Sequence, residues 1–225
     1  MNETSRQSEL KTLVLKKGAH KTAEKGMCVM EAVAYFNNEP FSDAPKCACP
    51  LLTSILIKRN DRWNDEDRQL LKPFIPLLIG TRGSNELRLK RAYMLLDWRV
   101  RESLPRILDL NPNLKQEVED LRTLAPIVDR SSVRASLHVV EAAQSASKKY
   151  ADAYAVAVAD ADAYAVADAV AYADAYAVAV AYAYAYAVAY AVADAYAVAD
   201  ARKRCDEQDR DSFLVLLQKM IDLKD

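Results

Sequence analysis

From residue 150 to residue 201 alanine occupies every odd-numbered position, and the even positions hold only Tyr, Val and Asp. Between Tyr150 and Asp200 these number ten, nine and seven. Period two is the formal signature of a β-strand, yet strands usually end within about ten residues. A sheet built from this segment would need repeated turns, and no Gly, Pro, Asn or Ser is present to make them. Asp and Ala are also poor strand formers. As a helix, half of the residues have the best intrinsic propensity, while Val and Tyr cost a few tenths of a kcal/mol each.

Repeat spacing supports the helix. The hexapeptide ADAYAV begins at 151, 161, 173 and 193. Those offsets keep neither a seven- nor an eleven-residue register, so they preserve no coiled-coil seam. The preserved unit is the dipeptide, which points to repeat expansion rather than to selection for β alternation. A continuous helix here would run about 75 Å. With so many Tyr and Val partly exposed, it would need to pack, fold back or self-associate. A tolerated spacer and a dedicated interaction rod are both compatible with this pattern. The uncharged run Ala175–Ala193 has just the length to span a bilayer, but its weak apolarity and the bracketing Asp174 and Asp194 disfavour insertion.

Punctuation divides the rest of the chain. All four glycines and eight prolines lie at or before Pro126, and no Asn follows Asn113. Long helix is therefore expected beyond that point. Before it, the pattern predicts short helices: 27–36, then after a Pro-bearing loop 51–59, then one capped by Asn64 ahead of Asp65-Glu66-Asp67. Pro73 and Pro76 should break that last helix before Gly80. Ser84 should cap the next, with 102–110 and 113–124 following. Ser131 or Ser132 should open a helix leading into the tract. At the end, Phe213, Leu214, Leu216, Leu217, Met220 and Ile221 recur at three- and four-residue spacing, an amphipathic helix that needs a partner surface. The expected fold is all-α. It comprises a compact helical N-terminal domain (1–130), a long helical segment containing the Ala-x tract (131–204) and an amphipathic C-terminal helix (205–225).

Charge adds little about partners. Residues 1–149 carry 25 Lys/Arg against 19 Asp/Glu, whereas the tract has seven Asp and no base. The cluster Arg82, Arg88, Lys90, Arg91, Arg99, Arg101 and Arg106 is interleaved with Glu86, Asp97 and Glu102. It reads as a solvated helix face rather than a nucleic-acid surface. MNETSRQSELK contains no apolar signal core, which makes a cytoplasm with reduced cysteines the expected compartment.

The dense mixture of chemistry-bearing residues lies at 16–50, KKGAHKTAEKGMCVMEAVAYFNNEPFSDAPKCACP. Three readings compete there. His20, Cys28, Cys47 and Cys49 have the donor types of a zinc site, but their H-x7-C-x18-C-x-C spacing is not that of paired knuckles. Cys28, following Gly26 at a helix start, could be a nucleophile with a lowered pKa and His20 as base, with Glu31 and Asp43 completing a catalytic set. The third reading makes Cys28 a small buried hydrophobe on a core helix, with Glu31 and Asp43 capping or pairing locally; it is the favoured one. His138, in the apolar run SLHVVEA, reads as structural.

The same stretch carries a resemblance. Lys17-Gly18-Ala19-His20, Gly26 to Tyr35, and Glu39 to Pro50 together resemble a family of uncharacterised bacteriophage and bacterial proteins. That family resembles this chain also in ending with an alanine-rich helical tract and a short amphipathic helix. Its members break their alanine runs with Trp, Arg and Asp, which the strict alternation here does not. The resemblance implies a phage or prophage origin and supports helix for the tract; it implies no activity and assigns no catalytic residue. The expected function is accordingly non-enzymatic: an accessory protein that binds a host or viral macromolecule, or itself, through helical surfaces and without a cofactor. The alternative is a cysteine- or zinc-dependent enzyme centred on 16–50.

Overall fold

The computed structural model of the chain describes residues 3–148 and 199–225. The alternating tract, expected as a helical rod, lies outside these apart from its last residues. The described residues are helical, as the punctuation requires, and form no β-strand among them; an isolated parallel bridge joins Leu15 to Met27. They divide into two units, Met1–Arg88 with Lys224–Asp225, and Leu89–Leu223. The expected 1–130 body is thus shared between both units, and the helices on either side of the tract belong to the second.

In the first unit, α1 (Glu3–Thr12) leads into an irregular segment that ends at α2 (Val29–Phe36). Helix α2 is almost wholly apolar, and Val29, Met30, Ala32, Val33 and Ala34 are inaccessible to solvent. It ends in a Schellman closure, with Asn38 and Glu39 N–H groups donating to the Tyr35 and Ala34 carbonyls at 3.1 and 2.9 Å. Asn38 takes the left-handed φ of 56° that this closure requires and that Asn tolerates.

Helix α3 (Pro50–Arg62) starts with Pro50, whose missing N–H costs nothing in the first turn. Asn64 Oδ1 accepts from the Glu66 and Asp67 N–H groups at 3.0 and 2.8 Å, capping the four-residue α4 (Asp65–Arg68). Pro73 and Pro76 then act as expected: the chain tightens into a 3-10 turn over Gln69–Phe74 and restarts as α5 (Ile75–Leu78). Helix α2 packs against both α3 and α5.

Helix α6 (Asn85–Trp98), capped by Ser84 Oγ accepting from Leu87 N–H at 3.1 Å, carries the chain into the second unit. There it widens to a π-helical turn over Arg99–Ser103 before α7 (Leu104–Leu108). The cause is Pro105, which has no N–H to continue the regular ladder; Leu104 N–H reaches back to the Arg99 carbonyl. Helices α8 (Lys115–Thr123) and α9 (Arg130–Lys148) follow, with α7 on α8 and α8 on α9. The α9 cap is Asp129 rather than either serine: its Oδ1 accepts from Ser132 N–H at 2.8 Å, while Ser132 Oγ accepts from the Asp129 N–H at 3.0 Å. The serine is the reciprocal member of the box, a role that spacing alone does not distinguish from the cap.

The last helix, α10 (Ala199–Asp222), starts within the end of the alternating tract and is 24 residues long. Phe213, Leu217, Met220 and Ile221 bury its apolar stripe, as their spacing predicts. Each contributes about 1.5–3 kcal/mol by leaving water. Trp98 lies beside Phe213 with ring centroids 5.8 Å apart, and its indole N–H donates to Ser212 Oγ at 3.1 Å.

The solvated face expected for the basic cluster holds for exposed Arg82 and Lys90 and is corrected for Arg91 and Arg99. Arg91 is 1% exposed, with Nε donating to the Met220 carbonyl at 2.7 Å and Nη2 to the Leu223 carbonyl at 3.0 Å. It caps the C-terminus of α10, whose last carbonyls have no partners within the helix and carry the negative end of its dipole. Arg99 is buried as well.

Candidate functional site

Three of the residues singled out by sequence, His20, Cys28 and Glu31, meet where the irregular segment enters α2. The backbone bridge at Leu15–Met27, with Lys16 N–H donating to the Met27 carbonyl at 2.9 Å, closes residues 16–27 into a loop. The loop ends at Gly26, whose φ of +132° is open to glycine alone. A Cβ there would lie 2.6 Å from Lys16 Cδ and 3.1 Å from His20 Nε2, so the histidine ring sits directly over it. Cys28 is then the N-cap of α2 and Glu31 its N3 residue.

Glu31 is the centre of the cluster. It is 1% exposed and accepts three hydrogen bonds: Oε1 from His20 N–H at 2.5 Å, Oε2 from His20 Nδ1 at 2.8 Å and from Cys28 N–H at 2.7 Å. In return Cys28 Sγ accepts from Glu31 N–H at 3.4 Å, completing a capping box in which sulfur replaces the usual hydroxyl. Burial opposes the ionised carboxyl, but the N–H donors of His20 and Cys28 outweigh it and hold Glu31 below the usual carboxylate range. A carboxylate only accepts, so the proton on this edge of the imidazole is on Nδ1, and Nε2 lies against Gly26.

This geometry argues against the nucleophile reading of Cys28. Burial pushes the thiol up to about 12, and the Glu31 carboxylate adds to the rise; the hydrogen bond from the Glu31 N–H works the other way and is too weak to reverse it. The sulfur is protonated at neutral pH and committed to helix capping. The helix N-terminus was expected to lower the pKa, but desolvation dominates at 2% exposure. What remains is an oriented Glu31–His20 pair with the Nδ1 proton held between the two side chains. Asp43 is half-buried in the following loop and forms no hydrogen bond with His20, Cys28 or Glu31.

The other cysteines serve the next turn of chain. Cys47 N–H donates to Glu39 Oε1 at 3.0 Å, and Lys46 N–H to Glu39 Oε2 at 2.5 Å. The Cys47 thiol and the Asn37 amide, with these N–H donors behind them, hold Glu39 down at about 2. Cys49, 1% exposed, donates its N–H to Thr81 Oγ1 at 3.1 Å. His20, Cys28, Cys47 and Cys49 do not come together: among the described residues no group of three or more His, Cys, Asp and Glu side chains is placed to hold a metal ion. His138 is exposed on α9.

Sequence reasoning missed the side chains that hold the loop down. Asn60, with no exposed surface, accepts from Val29 N–H at 3.1 Å and donates to the Lys16 carbonyl at 2.8 Å. Asp61 accepts from Gly18 N–H at 2.8 Å. Gln69 pairs with both backbone groups of Leu15, at 2.9 and 3.0 Å, and Lys72 Nζ donates to the Leu13 carbonyl at 3.0 Å. Buried Arg68 fixes this lattice by donating to the Asn60 and Trp63 carbonyls at 2.5 and 2.7 Å. The available signal was a short polar pair, Asn60-Asp61, set among the basic residues at the end of α3.

Among the described residues no helix is long and apolar enough to cross a membrane. No protein-family profile matches the chain, and neither curated proteins nor solved structures give a significant match.

Proposed function

We propose that the chain is a non-enzymatic accessory protein that binds another macromolecule through an apolar face of its first unit. The observation that carries this reading is the series Leu70, Pro73 and Leu77, all exposed, with half-buried Phe74 among them. Leu70 and Leu77 are 40% and 44% exposed, and the 70, 73, 74, 77 spacing places all four on one side of a helical segment. Val14, 62% exposed, adjoins this segment, since its neighbours Leu13 and Leu15 are held by Lys72 and Gln69. Residues of this kind that serve only folding are normally turned inward, and a rigid apolar strip with polar surroundings is the usual core of a protein interface.

The protonated, capping Cys28 speaks against the cysteine-dependent alternative, because the thiolate is the nucleophile. The resemblance of residues 17–20, 26–35 and 39–50 to phage and bacterial proteins supports a partner of host or viral origin and a place in the bacterial cytoplasm. The alternating tract would add a second contact region, by self-association or partner binding.

The test compares the full chain with Leu70→Glu/Leu77→Glu, both immobilised and exposed to bacterial host extract, with light scattering of each in solution. A protein retained by the wild type and lost on the double variant, or a change in self-association, supports the reading. Identical retention and identical mass, with both chains folded by circular dichroism, overturn it.

A further inference from the structure

Residues 11–25 carry five lysines, Lys11, Lys16, Lys17, Lys21 and Lys25, against one acid, Glu24. This run forms one surface with the end of α3, because Asn60 Nδ2 donates to the Lys16 carbonyl at 2.8 Å and Gly18 N–H donates to Asp61 Oδ1 at 2.8 Å. Acids on the neighbouring elements do not cancel the excess. Residues 11–25 and 58–68 together hold nine Lys and Arg against five Asp and Glu. The balance stays positive when Glu9 and Glu31, bonded to Tyr35 and His20, are counted too.

The lysines are displayed from a fixed backbone. Lys16 N–H donates to the Met27 carbonyl at 2.9 Å, Gly18 is held by Asp61, and His20 N–H donates to Glu31 at 2.5 Å. Between these anchors Lys17, Lys21 and Lys25 are exposed, and their side chains form no hydrogen bond or ion pair among the described residues. Binding a partner here orders side chains alone, because the backbone is ordered beforehand. Val14, 62% exposed between Lys11 and Lys16, places an apolar side chain within the basic surface. A matching partner is rich in acids, free of bases and bears apolar groups between its charges.

The sequence contains such a segment. The tract 150–201 has seven Asp and no Lys or Arg, with Tyr and Val at its other even positions. Its hexapeptide ADAYAV, one acid beside Tyr and Val, occurs four times, whereas each chain has one lysine loop. That imbalance of valence leaves repeats over for other chains, whatever occupies a chain's own loop. We propose that the basic surface around Lys17, Lys21 and Lys25 is the docking site for the Asp-bearing tract of a second copy of this chain. The attraction is electrostatic and does not depend on Leu70 or Leu77.

The experiment is sedimentation velocity of the whole, nuclease-treated chain over a range of concentrations, in potassium chloride at about 0.05 M and about 1 M. Oligomers that form at low salt and disperse at high salt are expected, since the screening length falls to about 3 Å at about 1 M. Lys17→Glu/Lys21→Glu/Lys25→Glu should weaken association at least about tenfold without lowering the melting temperature, because these side chains are exposed and unpaired. A chain with Asp152, Asp160, Asp162, Asp168, Asp174 and Asp194 each changed to Lys should also stay monomeric alone. Mixing it with the triple Lys→Glu chain should restore association, now between an acidic loop and a basic tract. A wild type that is monomeric at every concentration, association indifferent to the three lysines, or no restoration in the mixture of folded variants overturns the assignment. Association that appears only when an oligonucleotide or anionic vesicles are added gives the surface to another polyanion and overturns it too.

Discussion

Replacing Glu31 with Gln keeps the size and one acceptor of the side chain while removing its charge, which makes it the sharpest probe of the cluster. Both Oε2 bonds, from Cys28 N–H and His20 Nδ1, then face an amide NH2 group. The imidazole can recover by presenting an unprotonated Nδ1 to that amide. Cys28 N–H cannot, and it is left as a buried donor without an acceptor, a loss of about 1–3 kcal/mol. The bond from His20 N–H survives but loses its charge assistance. Together these amount to about 2–4 kcal/mol at neutral pH.

Hydrogen exchange followed by mass spectrometry localises the effect. Peptides covering 14–36 should exchange roughly 30-fold faster or more, each factor of ten corresponding to about 1.4 kcal/mol of opening free energy. Peptides within 104–123, in the other unit, serve as the control. The pH dependence has a definite sign. The carboxyl of Glu31 is held below its usual range in the folded chain, so its stabilisation is complete above the unfolded value near ~4.3. That stabilisation is lost as the pH falls through the lower folded value. The Gln variant should lack this acid-labile component. A change below about 0.5 kcal/mol at pH 7, or an unaltered acid limb, would refute the assignment of Glu31 as the organising charge.

Other outcomes follow from the same geometry. Gly26→Ala should cost about 1–3 kcal/mol in chemical denaturation, because the residue must hold a φ of +132° and its new methyl meets Lys16 at 2.6 Å. Native thiol labelling at pH 7 should be slow at Cys28 and Cys205, both held up near about 12 by burial, and fastest at half-exposed Cys47. Rapid labelling of Cys28 would restore the nucleophile reading. Arg91→Met should destabilise the second unit by about 2–4 kcal/mol in a urea titration followed by circular dichroism, through two unanswered carbonyls at the end of α10. Arg91→Lys should recover little of this, since a point charge cannot serve both oxygens as the fork does.

Legibility differed between elements for physical reasons. Asn64 before three acidic residues, Pro73 and Pro76 within a helical run, and the 213–221 stripe each act through bonds within a few residues of themselves. Their outcomes were therefore readable in order along the chain. The 16–50 segment was visible as a site of interest, and the pairing of Glu31 with Cys28 is a local N3-to-cap contact of the same kind. Its link to His20 is not local, and neither is the desolvation that keeps the Cys28 thiol protonated.

Sequence alone thus determined that the described residues are helical, where Asn64, Ser84 and the prolines start and break their helices, and that α2 and one stripe of α10 are apolar, because propensity, capping and periodicity are short-range properties. Tertiary structure alone decided the rest: that Asn60, Asp61 and Gln69 pin the 13–28 segment, and that Arg91 is a buried cap rather than a surface charge. Burial and long-range pairing set the charge state and partners of a side chain, and both depend on which distant segments are brought against it.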